Sequence, residues 1–157
     1  MSEVNLSKLK KLFQEKKYSE IVMDIELKTI ESDRSPALHN LLGVCRASQK
    51  GKTDRDVQYA LDDFEKAFYK DNLGQISLEA LCSHITLCAE MGRKENDLVN
   101  NFLTSEKMYL KAEKKYSKNA KYLGHGLDLY KYLNKHEKRI SKALEIISLE
   151  GLDKMFG

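Results

Sequence analysis

Four segments of the chain repeat one side-chain spacing. Ile21, Ile25 and Lys28 form the first set, and Ala60, Phe64 and Ala67 the second; Leu98, Phe102 and Ser105 form the third, and Ile140, Leu144 and Ile147 the fourth. In each set the second residue lies four positions on and the third lies three beyond that. On an α-helix these positions share one face, whereas on a strand the third would point away from the first two. The sets begin 39, 38 and 42 residues apart. A single amphipathic helix cannot bury its apolar stripe alone, so recurrence at a near-constant period points to stacked units.

The residues between these sets supply the other half of each unit. The first helix is expected from about Asn5 to Glu15 and the second from near Tyr18 to before Ser32. Ser35 is a good N-cap with Pro36 at the first helical position. That third helix carries Ala37 to Gly51 and holds Gly43 at its middle, although alanine would be about 0.8–1 kcal/mol more stable there. Thr53 or Asp54 caps a fourth helix over Val57 to Tyr69. A fifth spans Ile76 to Met91 and stops at Gly92, and Asn96 can cap a sixth that reaches Tyr116. The seventh covers Ala120 to Leu133, and the eighth fades by Gly151. The connections are short, so successive helices should pack antiparallel. With one proline and eight glycines in 157 residues there is little material for strand-turn-strand designs. No linker or second domain is evident, and residues 1–157 read as a single helical repeat domain.

The second unit, Ala37 to Asn72, resembles the tetratricopeptide repeat family. Its first helix carries a Leu-Gly pair, Leu42 and Gly43, and its second carries Ala60, Phe64 and Ala67. The pair recurs at Leu123 and Gly124, and Tyr18 sits at the first unit's turn. The spacing departs from the family's usual period of about 34 residues, with extra residues in "GKTDRDV" and Asn72 in place of the closing proline. Longer bacterial helix-hairpin repeats are therefore a competing description. The resemblance implies an all-α, right-handed superhelical array of about four antiparallel hairpins, an α-solenoid. It also gives Gly43 a purpose: together with Ala60 and Ala67, a small residue there lets neighbouring helices approach closely.

Such an array implies a non-catalytic scaffold that binds a protein or peptide in its concave groove. The candidate groove residues are Asn40, Val44, Ala47 and Ser48 from the second unit, Thr86 and Glu90 from the third, and Lys121, His125 and Asp128 from the fourth. Asn40 can bond a peptide backbone as both donor and acceptor.

Other chemistries find less support. Cys82, His84 and Cys88 invite a metal reading, but Cys82 lies on another face and no second ligand pair has zinc spacing. Buried cysteine is the plainer account. Gly124-His125-Gly126 lacks the preceding strand and longer glycine pattern of a phosphate loop, and fits close helix packing better. No serine or cysteine sits in a strand-turn-helix elbow. No catalytic residue, cofactor or metal is therefore assigned, and the chain is read as not an enzyme.

Net charge is +3, yet Lys107 to Lys142 holds eleven basic residues against three acidic ones. Five tyrosines interleave with them, which suggests a nucleic-acid-binding helical domain as one alternative. It is disfavoured because lysines 107, 111, 114, 118 and 121 recur as a solvated helix face does, and arginine, the better bidentate ligand, is scarce. The second alternative is an N-terminal targeting segment of a larger bacterial glycosyl- or sulfotransferase, motivated by the apolar tail "LEGLDKMFG". That tail could equally serve a homodimer through terminal helices. No apolar run reaches the ~18 residues of a membrane span and no signal peptide is seen. Three cysteines without a framework spacing suit a reducing, cytoplasmic setting.

Overall fold

A computed structural model describes residues 4–91 and 99–150. Gly92, Asn96 and Leu98, each given a role above, lie outside the described residues, as does the tail from Gly151 on. Among the described residues there are eight α-helices and no strand. The chain divides into two compact units at Ala80/Leu81, within α5 (Gln75–Met91).

The first unit contains α1 (Leu6–Gln14), α2 (Tyr18–Lys28), α3 (Pro36–Ser48) and α4 (Asp54–Lys70). Local chemistry sets the ends. Asn5 Oδ1 accepts from the Lys8 amide, and Ser35 Oγ accepts from the Leu38 amide with Pro36 at the first helical position. Thr53, not Asp54, caps α4 through a capping box with Asp56, so the helix starts at Asp54, earlier than expected. Helix α2 ends at Lys28, also earlier than expected, because Thr29 turns extended and its Oγ1 bonds Ile25 O at 2.6 Å. A 3-10 turn follows at Glu31–Asp33. Helix α3 ends at Ser48, and Gly51 takes the left-handed φ of +68° that its turn requires.

The core of this unit joins Leu9, Ile21, Ile25, Leu42 and Cys45, with Leu12, Tyr18 and Leu38 packed around them. Helices α3 and α4 meet through Gly43. A Cβ there would lie 2.5–2.9 Å from the Phe64 ring, and Ala60, Phe64 and Ala67 are all buried.

The second unit contains the rest of α5, then α6 (Val99–Tyr116), α7 (Ala120–Tyr132) and α8 (His136–Glu150). Asn119 caps α7, its Oδ1 accepting from the Tyr122 amide at 3.0 Å. Tyr109, Tyr122 and Tyr130 form an aromatic core. The rings of Tyr109 and Tyr122 stack at 4.0 Å, and Tyr122 donates to Tyr109 O at 2.6 Å. Gly126 faces this cluster, and a Cβ there would lie 2.2 Å from Tyr109 Oη. Gly124 has nothing within 4 Å of the same position. The close packing expected of Gly124-His125-Gly126 is therefore at Gly126, and Gly124 of the second Leu-Gly pair takes no part in it.

The repeated spacing is not uniformly a core face. Phe102 and Ser105 are buried, but Ile140 and Leu144 are exposed, because α8 turns Lys142 and not that stripe inward.

Candidate functional site

Among the described residues, two buried polar clusters and an open cleft between α5 and α7 gather the most varied polar side chains. The first cluster ties α3 to α4. His39 and Asp63 are buried, with His39 Nδ1 3.1 Å from Asp63 Oδ1. Lys70 Nζ lies 3.2 Å from His39 Nε2 and 2.9 Å from Arg34 O. The lysine can only donate, so Nε2 accepts and the ring proton sits on Nδ1, donated to Asp63. Arg46 bridges the other Asp63 oxygen to Glu26 on α2. Burial pushes His39 below its ordinary range despite Asp63, and pushes the Asp63 carboxyl up despite Arg46. No serine or cysteine nucleophile is hydrogen-bonded to this imidazole among the described residues. The chain of contacts works as a clasp. No spacing rule in the sequence marks it, since His39 and Asp63 are 24 residues apart.

The second cluster looks more like a nucleophile and its base. His84 Nδ1 is 2.5 Å from Ser105 Oγ, and Cys88 Sγ is 3.7 Å from both. All three residues are buried. Burial lowers the His84 pKa to about 4 and raises Cys88 to about 12. The imidazole is thus a weak base and the thiol stays protonated, which suits a sealed core better than a reaction. His84 and Cys88, one turn apart on α5, are joined by Ser105 from α6. Among the described residues no group of three His, Cys, Asp or Glu side chains could hold a metal ion.

The cleft lies between α5 and α7. It has a volume of about 340 Å³ and is lined by Thr86, Ala89, Glu90, Asp128, Lys131 and Tyr132. Three of the sequence-predicted groove residues, Thr86, Glu90 and Asp128, meet here. Helical spacing explains this: Thr86 and Glu90 are one turn apart, as are Asp128 and Tyr132. The Tyr132 ring is stacked on Phe102 at 5.1 Å, so one wall is held in place. Thr86 Oγ1 is committed to Cys82 O at 2.9 Å. Carboxylates, an ammonium and a phenol thus border one cavity.

Lys121 and His125 continue the α7 stripe outside the cleft lining, and His125 Nδ1 is bonded to Lys121 O at 2.8 Å. On α3, Val44 and Ala47 are half-buried and Ser48 is exposed. Asn40 is half-buried, and its Oδ1 is shielded with no hydrogen-bond partner among the described residues. Lys131 and Tyr132 were missed by the sequence reading, which followed a single stripe of α7 that ended at Asp128.

Comparison with family models, with curated proteins and with solved structures finds no match.

Proposed function

We propose that this chain is a non-catalytic interaction module of tetratricopeptide-like helical hairpins, and that it holds an extended segment of a protein partner against α5 and α7. The supporting observation is the cleft itself, where Glu90, Asp128, Lys131 and Tyr132 offer acceptors, donors and an aromatic wall without a paired nucleophile and base. The two histidine-containing clusters are buried, so neither presents a reactive atom to a bound substrate. In the hairpin-array reading, α3, α5 and α7 are each the first helix of a hairpin. On α3, Asn40, whose Oδ1 has no hydrogen-bond partner among the described residues, is the residue best placed to bond a peptide backbone.

The nucleic-acid alternative is weaker on this geometry. Tyr109, Tyr122 and Tyr130 are buried and cannot stack on bases, and lysines 107, 111, 114, 118 and 121 are exposed as a solvated face.

Selection of peptides from a random displayed library on the full chain, followed by calorimetry, tests the reading. Exchanging both Glu90 and Asp128 for alanine should weaken a selected peptide about tenfold or more, with little change in melting temperature. Selection of no peptide, or affinities indifferent to the double exchange, would count against the cleft.

A further inference from the structure

We propose that the outer face of α6 docks on the surface of an anionic lipid bilayer, its lysines against the headgroups and its two exposed leucines between them. The inference stands apart from peptide binding, since no residue of this face lines the α5–α7 cleft.

Burial settles which side of α6 faces out. Phe102, Ser105, Met108, Tyr109 and Ala112 are buried and form its inner side. Leu103, Lys107, Leu110 and Lys114 follow one another at steps of four, three and four on the opposite side, with Lys111 beside them. Leu103 and Leu110 are 48% and 45% exposed, and the three lysines are exposed. Lys118, after the helix, and Lys121, at the start of α7, continue the basic run along the chain.

The charge of this face is not cancelled within the unit. Helix α6 has two acidic residues, Glu106 and Glu113, and both are engaged to one side of the stripe. Lys135 Nζ lies 2.8 Å from both Glu106 carboxylate oxygens, and Lys142 Nζ lies 3.5 Å from Glu113 Oε1. Lys107, Lys114, Lys118 and Lys121 enter no ion pair among the described residues. The face therefore keeps a net positive charge for an anionic partner.

The residue types select which anionic partner fits. Hot spots between proteins favour arginine and aromatic side chains, and lysine is depleted at such interfaces. Helix α6 has no arginine. Its aromatic residues, Phe102, Tyr109 and Tyr116, are buried or half-buried, so the face offers no ring on which a nucleic-acid base could stack. A bilayer needs neither. A diffuse layer of anionic headgroups attracts lysine as a point charge, while lysine stems and leucine side chains dip toward the acyl boundary.

Co-sedimentation of the full chain with vesicles tests the proposal. Vesicles of phosphatidylserine and phosphatidylcholine in equal parts should bind the chain, more weakly at high salt, and vesicles of phosphatidylcholine alone should not. Lys107→Gln with Lys114→Gln should weaken binding about thirtyfold, the effect of removing two surface lysines. Leu103→Ser with Leu110→Ser should weaken it about tenfold. All four side chains are exposed, so melting should change little. Lys10→Gln with Lys11→Gln, on the exposed side of α1, should leave binding unchanged. No binding to the mixed vesicles, equal binding to both vesicle types, or an α1 pair that matters as much as the α6 pair would each overturn the proposal. So would a chain that binds single-stranded DNA or polyglutamate through Lys107 and Lys114 but no vesicle.

Discussion

Three glycines show how much depends on a single hydrogen atom. At Gly43 an added methyl meets the buried Phe64 ring, and at Gly126 it meets Tyr109 Oη. Overpacking of this kind typically costs about 1–3 kcal/mol, more than the roughly 1 kcal/mol of helix propensity that alanine returns. Gly43→Ala should therefore destabilise by about 1 kcal/mol or more. Gly124→Ala meets nothing and should stabilise by about 0.5–1 kcal/mol. Urea melts of the two variants check this, and equal signs would contradict it. The Leu-Gly signature at Leu42 and Gly43 was legible in the sequence. In Gly124-His125-Gly126 the close packing expected of the run falls on Gly126 alone, because residues two apart lie on different sides of a helix and only the ring of Tyr109 decides which one is crowded.

Between elements, the sequence announces helices better than it announces what joins them. Capping residues Asn5, Ser35 and Thr53 and the short turns place most helices to within a few residues. The Glu26–Arg46–Asp63–His39–Lys70 clasp has no local signature, because its members come from three helices and meet only on folding. Removing the Asp63 carboxylate leaves the half-buried Arg46 with Glu26 alone and His39 without its acceptor. Asp63→Ala should cost about 3–5 kcal/mol, read from urea denaturation; a loss under about 1 kcal/mol would show that the clasp contributes little.

Helix α5 carries a pH dependence of its own. Folded His84 titrates at about 4, against an ordinary value of 6.5. Below pH 6.5 the unfolded chain takes up a proton that the folded chain refuses, so acid favours unfolding. The contribution is intact above pH 6.5 and is lost progressively as pH falls toward about 4, by about 3 kcal/mol in total. Over that window the stability of His84→Gln should fall less steeply than that of the parent. Parallel curves would contradict the assignment.

For the molecule as a whole, the all-helical class was readable from helical spacing and composition. Which stripes end up covered was not, because the fourth set has the same pattern as the second and yet leaves Ile140 and Leu144 exposed. Periodicity reports that a face exists, and only the neighbouring element decides whether it is buried. The thiols follow the same logic: Cys45, Cys82 and Cys88 are all buried and none forms a disulfide, and burial raises Cys45 and Cys88 to about 12. A thiol reagent should label the native chain slowly and all three cysteines quickly in denaturant. Fast native labelling would place a thiol at the surface. The central claim, that α5 and α7 form a surface for a partner chain, is tested most directly by amide chemical-shift mapping with a library-selected peptide. The account predicts perturbations clustered at Thr86, Glu90, Asp128, Lys131 and Tyr132. Perturbations confined to other helices, or none at saturating peptide, would contradict it.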